Sequence, residues 1–546
     1  MNPADRDEAI ARVRGYHVVS KHHVSGYAPG PETLDWEQQP APFRCFDGAP
    51  LQALPLVEGT GWRRYPALFE PPSIPVAPDL ARLGLFLELA FGISAWKQYG
   101  GERWAVRNTP SSGNLHGTEV YLLLWRGLAK GLAPGLYHYR ADGHGLERRA
   151  LLPPAVADGL CRQQPESWGA IGLSGVDWRE TWKYGVRALR YAQLDFGHAL
   201  AAARFAGAVV GWGVTLDPRP ADAQVAAVLG LDRTGDFAEA APERPGLLAL
   251  LGQQGALGEV APWATLAEAL EGWCGKADRL AQPMRYWPEQ AAVETALVKP
   301  ACPAMVAAAR PAATASSPAT EQGADAVRLI RQRRSAQRMD RQTGMGQPGF
   351  LRLLQRLLPG TDSVPFDTMA WPAAVDLLLF VHAVEGLEPG LYLLQRSATP
   401  PPLAGPPALP AHGLPFYAVS EPADLRALAS QVACYQGLGG RGAFSLAMLA
   451  DLDGVLAAEG GWAYRRLYWE CGLIGQLLYL EAEANGLRGC GIGCFFDDAV
   501  HALVGLPAGP AGHWQDLYHF SVGGALEDSR LATLPAYERP FSDVLS

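Results

Sequence analysis

Two long stretches of the chain carry apolar residues on nearly every face of a helical period, residues 191–210 and 468–485. Each is followed by a glycine, Gly211 or Gly486, the residue that most readily takes the left-handed conformation closing a helix. A helix that is apolar all round is buried on most sides, so both are expected at an internal interface. Shorter apolar runs, 120–125 and 375–381, are of strand length and lead toward glycine- and proline-rich turns. Strands mixed with long helices predict an α+β architecture built from α/β units.

The pattern repeats. Gly131-Leu132-Ala133-Pro134-Gly135-Leu136-Tyr137 recurs 255 residues later as Gly386-Leu387-Glu388-Pro389-Gly390-Leu391-Tyr392. Asp195, Gly211 and Gly230-Leu231 recur 275 residues later as Glu470, Gly486 and Gly505-Leu506. Constant offsets predict two copies of one unit. Between the copies, residues 298–325 are mostly Ala, Pro, Ser and Thr. Such a segment buries too little apolar surface to offset its ordering entropy, and reads as a flexible linker. The chain therefore divides into an N-terminal extension (1–80), a first unit (81–297), the linker (298–325) and a second unit (326–546). Tyr16-His17 and Lys21-His22-His23 lie in the extension. They read as part of a packing or surface arm, because adjacent histidines cannot easily share one metal ion.

Composition narrows the function. The 546 residues are 48% hydrophobic and 18% charged, enough for a large core without disulfide or metal support. The net charge of -9 argues against a nucleic-acid binder, so any bound anion must be held by a few local Arg or Lys side chains. The most apolar run, 199–216, contains Arg204 and reads as a buried helix, not a membrane span. The first thirteen residues mix acids and bases without an apolar core, unlike a signal peptide. No membrane association and a cytoplasmic location are expected. Of eight cysteines only Cys490 and Cys494 are close in sequence, and without a second pair they suit no zinc site. They are expected to be structural thiols.

Two clusters carry chemistry. The second unit opens with Arg331-Gln332-Arg333-Arg334-Ser335-Ala336-Gln337-Arg338. Planar guanidiniums and a hydroxyl suit a phosphate. The first unit holds Arg107-Asn108-Thr109-Pro110-Ser111-Ser112-Gly113-Asn114, a turn presenting short polar side chains. Each alone is an ordinary helix face or capping turn. Taken together they resemble the two signatures of the nitroreductase superfamily of FMN proteins. Gly489-Cys490-Gly491-Ile492-Gly493-Cys494-Phe495 resembles that family's flavin-edge loop, and Asp528-Ser529-Arg530-Leu531 its C-terminal basic segment. Trp182-Lys183-Tyr184-Gly185, Arg187, Arg190-Tyr191 and Asp195-Phe196-Gly197-His198 are similar to the SagB/ThcOx-type dehydrogenases, the azoline-oxidase branch.

The resemblance implies two nitroreductase-like units fused as a pseudo-dimer, with FMN as cofactor and no metal. Arg333, Arg334, Ser335 and Arg530 would hold the phosphate. Gly491, Ile492 and Gly493 would lie along the ring, with Pro110, Ser111, Ser112 and Asn114 added from the first unit. Lys183 and Tyr184 would be catalytic, Tyr184 as base with its phenol pKa lowered by Lys183. The first unit lacks Arg-Arg-Ser, and the second has Ala370-Trp371-Pro372-Ala373 where the serine turn should be. One complete and one decayed site are therefore expected. His198 and His382 are weaker candidates, His198 reading as a core histidine. The matched Asp195 and Glu470 read as structural. The expected activity is hydride transfer from a heterocyclic or peptide-derived substrate, with separate biosynthetic proteins as partners. The alternatives are an NAD(P)H-dependent nitro- or quinone reductase, or a flavin-less partner-binding module without catalysis.

Overall fold

The computed structural model describes residues 3–59, 61–70, 76–128, 131–255, 257–280, 287–302, 323–360, 363–403, 405–509 and 512–537. Most of the expected linker, 303–322, lies outside them.

The apolar runs form two antiparallel sheets. The first runs, edge to edge, Leu51–Ala53, Gly145–Leu151, Gly135–Arg140, Thr118–Leu124, Ser167–Gly175, Arg244–Gly252 and Gly213–Leu216. The second runs Phe416–Ser420, Gly390–Leu394, Val375–Val381, Phe444–Asp451, Trp514–Gly523 and Arg488–Ile492. Apart from the added edge strand Leu51–Ala53, the two orders are the same. The likeness extends to detail. Tyr137 and Tyr392 each donate their hydroxyl at 2.8 Å to the carbonyl four residues earlier, of Ala133 and Glu388.

The two apolar helices span Ala188–Val210 and Ala463–Ala484. Each packs on its own unit's sheet and on the other helix. They cross at Gly197 and Gly472, which are 275 residues apart. A Cβ on Gly472 would lie 2.7 Å from the Gly197 Cα, and one on Gly197 would lie 2.8 Å from the Gly472 Cα. Only glycine on both sides lets the backbones come this close. Gly211 and Gly486 take φ of 84° and 71°, closing the helices as expected. The second helix begins five residues before its apolar stretch, because Arg465 and Arg466 are buried against Asp222 and Glu459.

The units also exchange segments. Helix Pro3–Val19 packs on the end of the first unit and reaches the second, where His17 bonds Tyr464 (3.1 Å) and Gln515 (2.9 Å). The extension is thus a packing arm. At the other end, strand Ala532–Leu534 pairs with Ile93–Tyr99 of the first unit, which pairs with Glu102–Arg107. This return carries residues 525–531 across the interface. Among the described residues no helix is long and apolar enough to cross a membrane.

Candidate functional site

A groove of about 430 Å³ opens between the units, within the ~300–1,000 Å³ usual for small-molecule sites. One wall is the turn after strand Glu102–Arg107. Gly113 and Asn114 both take left-handed backbone, φ 61° and 60°, and His116 does the same at 57°. Ser111 caps the turn, its Oγ accepting the His116 N–H at 2.9 Å. Asn114 donates to the Ala105 carbonyl at 2.8 Å. The Ser112 N–H and hydroxyl both donate to Asp195, at 3.1 and 3.2 Å.

The opposite wall belongs to the second unit. Ser335 and Ala336 run beside the glycine-rich strand, with the Ala336 N–H donating to the Gly489 carbonyl at 2.9 Å. The Tyr479 hydroxyl accepts the Gly491 N–H and bonds Ser335 Oγ, both at 2.9 Å. A side chain at Gly491 would strike the Tyr518 hydroxyl, and one at Gly493 the Tyr191 ring. Glycines therefore keep this wall flat and tyrosine-lined.

Arg333 joins the two walls. Its guanidinium donates to the Asn108 carbonyl at 3.2 Å and the Arg107 carbonyl at 2.9 Å, and lies 4.8 Å from the Tyr479 ring centre. Its Nη1 is buried and has no partner among the described residues. Burial lowers its pKa, and burial together with Arg333 lowers Arg334 to about 10. Arg334 donates to the Ser94 carbonyl at 2.9 Å. A desolvated, incompletely bonded guanidinium beside a second cation is a site for an anion. The residues present thus fit a phosphate-bearing planar cofactor such as FMN: cations at one end, a glycine wall along the side, a polar turn opposite.

The sequence-predicted residues Pro110, Ser111, Ser112, Asn114, Arg333, Arg334, Ser335, Gly491, Ile492, Gly493 and Tyr184 all line this groove. Arg530 does not. Its neighbours Asp528 and Leu531 do, but its guanidinium pairs with Asp528 at 2.7 Å and its side chain is 69% exposed. Lys97 and Arg488 line the groove instead. Lys183 sits behind the wall, its Nζ 5.4 Å from the Tyr184 ring centre. Gly113 lies between this pair and the turn: a Cβ there would collide with the Tyr184 hydroxyl and stand 3.2 Å from Lys183 Nζ.

The electrostatics correct the role expected of Lys183. Burial, then the charges of Glu180, Tyr191 and Asp195, raise the Tyr184 phenol well above its usual value. Burial lowers Lys183 itself, with Glu180 opposing. Tyr184 is therefore held protonated. Asp195, read from the sequence as structural, holds the Ser112 turn and also lines the groove. Burial pushes its carboxyl up to about 8 against the two Ser112 hydrogen bonds. Burial and Asp195 raise Glu180 as well. His198 is a buried, neutral core histidine between Gln476 and Tyr518 (3.3 Å each), pulled down to about 3 by burial. His382 donates to or accepts nothing in the groove; its Nε2 lies 3.0 Å from the Gly439 carbonyl.

At the position related by the repeat, the described side chains pair and pack with one another. The first helix carries Arg204 where the second carries Tyr479, 275 residues on. Arg204 forms a buried pair with Asp367 at 2.7 Å. Tyr65, Phe69 and Phe205 pack together beside it. Glu470, the counterpart of Asp195, accepts the Ala374 N–H at 2.9 Å and pairs with Arg396 at 2.7 Å. Trp371 packs on Trp462 and Trp469.

Comparison with known proteins bears on the fold. The family model "Nitroreductase family" matches residues 411–524. The crystal structure of a nitroreductase-type protein from Anabaena variabilis superposes with a TM-score of 0.68 at 21% identity, over 94% of this chain and 99% of that one. This likeness establishes a nitroreductase fold across both units. A nitroreductase-type protein from Ralstonia eutropha matches at 15% identity and TM-score 0.26, over 42% of this chain and 98% of that one. The E. coli microcin synthetase McbBCD complex, with truncated pro-MccB17 bound, matches at 16% identity and TM-score 0.27, over 45% of this chain and 93% of that one. No curated protein matches the sequence.

Proposed function

We propose that the chain is an FMN-dependent oxidoreductase with one flavin site built from both units, and that it dehydrogenates a heterocyclic or peptide-derived substrate. The observation that carries this reading is the buried Arg333, which bonds the serine-bearing turn of the first unit and keeps one nitrogen free for an anion. In this reading Arg333, Arg334 and Ser335 hold the phosphate. The wall at Gly491, Ile492 and Gly493 and the turn at Pro110, Ser111, Ser112 and Asn114 flank the ring. Bound FMN supplies a two-electron acceptor, while position and proton handling fall to the protein.

Dehydrogenation releases a proton together with a hydride. Asp195, pushed up to about 8, is part ionised near neutrality and accepts from the Ser112 hydroxyl at the groove wall. It suits a proton acceptor working through Ser112. Tyr184 donates a hydrogen bond that orients the substrate. The Lys-Tyr pair beside the groove is what favours the azoline-oxidase branch, in which a peptide heterocycle is made by separate proteins. The buried Arg204–Asp367 pair at the repeat-related position supports one flavin per chain.

The test is direct. Purified protein should carry FMN, released and identified by mass, at one per chain. With a thiazoline- or oxazoline-containing peptide it should give a product lighter by two hydrogens, and Tyr184→Phe should keep FMN and lose this turnover. Protein that takes up no added FMN sinks the reading. Rapid bleaching by NADPH with turnover of nitroarenes, and none of azolines, replaces the dehydrogenase with a reductase.

A further inference from the structure

Beside the flavin-edge wall lies a cysteine pair that the groove chemistry does not use. Cys494 lines the groove. Its partner is not the sequence neighbour Cys490 but Cys434, sixty residues away in sequence, whose thiol faces that of Cys494 closely enough for each to shift the other's ionisation. Both are partly accessible free thiols. The two segments are held together from several sides. The Phe496 N–H donates to the Val432 carbonyl at 2.8 Å. The Gln436 amide donates to the Cys494 carbonyl at 2.9 Å. The Tyr435 ring meets Phe496 edge-on at 5.5 Å.

Two features set this pair apart from packed core thiols. First, Cys434 and Tyr435 both adopt left-handed backbone, φ 52° and 59°. Consecutive non-glycine residues in that region are strained, and such strain persists only where the surroundings impose it. Here it turns Cys434 toward Cys494, while Tyr435, 62% exposed, faces solvent. Second, the surroundings of Cys494 suit a thiolate. His22 of the N-terminal arm lies beside the Cys494 thiol and favours its ionised form. Because His22 Nδ1 accepts the Ala28 N–H at 2.9 Å, its proton sits on Nε2. The Arg187 guanidinium donates to the Gly493 carbonyl at 3.0 Å, one residue away.

We propose that Cys434 and Cys494 form a thiol–disulfide exchange centre at the rim of the groove, whose substrate is a low-molecular-weight disulfide. The Cys494 thiolate attacks one sulfur of the disulfide, forming a mixed disulfide and expelling one thiolate. Cys434 then attacks the Cys494 sulfur, losing its proton and expelling the second thiolate. Two protein thiols are oxidised to one disulfide and one external disulfide is reduced to two thiols. The bond closes the 432–436 turn onto the flavin-edge wall. Cys434, then His22 and Arg187, lower Cys494 against its burial, while Cys494 and burial raise Cys434, so of the two thiols Cys494 ionises first.

None of this requires flavin in the groove, so it stands or falls separately from the proposed function. Oxidised glutathione is the probe, and mass spectrometry of the intact protein and its peptides the readout. The full chain should lose two hydrogens, with Cys434 and Cys494 in one linked peptide pair. Cys434→Ser should instead keep a glutathione adduct on Cys494, and Cys494→Ser should give neither product. Should either variant fail to fold, alkylation of the unaltered chain by iodoacetamide near pH 6 decides, since an ordinary thiol with pKa ~8.5 is scarcely ionised there. Cys494 should then react at least about tenfold faster than Cys490. Equal alkylation rates, or a Cys434→Ser chain that acquires no adduct, overturn the proposal.

Discussion

The Arg333 guanidinium of the second unit donates to the Asn108 carbonyl of the first, three residues before Ser111. One side chain thus positions the polar turn and keeps a nitrogen for the ligand. Arg333→Lys retains a charge but loses the planar fork that reaches both carbonyls. Hydrogen bonds to charged groups contribute ~1.5–3 kcal/mol, so FMN affinity should fall by about tenfold to a hundredfold. Fluorescence titration of FMN checks this, and unchanged affinity would remove Arg333 from the anion site.

Asp195 predicts a pH dependence with a defined sign. Its carboxyl titrates at about 8 in the folded chain and near ~3.9 unfolded. Between these values the folded state binds more protons than the unfolded one, so this group's contribution to stability declines as pH rises through that window. Asp195→Asn mimics the protonated form. Its melting temperature relative to the unaltered chain should therefore improve steadily from about pH 5 to pH 8. If Asp195 accepts the proton, the rise in turnover toward pH 8 should also vanish in the variant.

Arg530 separates the sequence expectation from the structure. Its exposed guanidinium is engaged by Asp528, and solvent screens such exposed pairs so that they hold little in place. Arg530→Ala should leave FMN affinity within about twofold, whereas Arg488→Ala, at the groove wall, should weaken it. Equal losses in both would mean that the C-terminal segment turns inward on binding.

Asp367→Ala strands Arg204 at the repeat-related position. Breaking one side of a buried pair costs ~3–5 kcal/mol, so thermal stability should drop clearly. Flavin content should stay at one per chain, because no part of the groove is touched. A fall in flavin content at constant fold would place the ligand elsewhere.

Much of this was readable from residue order, for physical reasons. A strand buried on both faces, like Val375–Val381, is a continuous apolar run with the same limits in sequence and structure. Repeated glycines mark the helix ends because left-handed backbone favours that residue. What sequence order hides is the distant partner. Arg465 and Arg466 look like helix-ending polar residues until Asp222 and Glu459 arrive to pair them. Lys183 adjoins Tyr184 in sequence, yet burial, Glu180 and the folded-back Asp195 set the phenol's state. Cys490 and Cys494 are close along the chain, but a turn from before the second helix brings Cys434 to Cys494 instead. Arg488 carries a readable signal, since it is the cation that opens the glycine-rich strand Arg488–Ile492.

That Arg333 and Ser111 belong to one covalent chain has a concentration consequence. A groove assembled from separate subunits falls apart when those subunits are diluted below their dissociation constant. Here each wall meets its partner at an effective concentration set by the tether and not by the solution. Specific activity should accordingly stay flat down to nanomolar protein, and the groove should reassemble after unfolding at a rate independent of how many molecules share the tube.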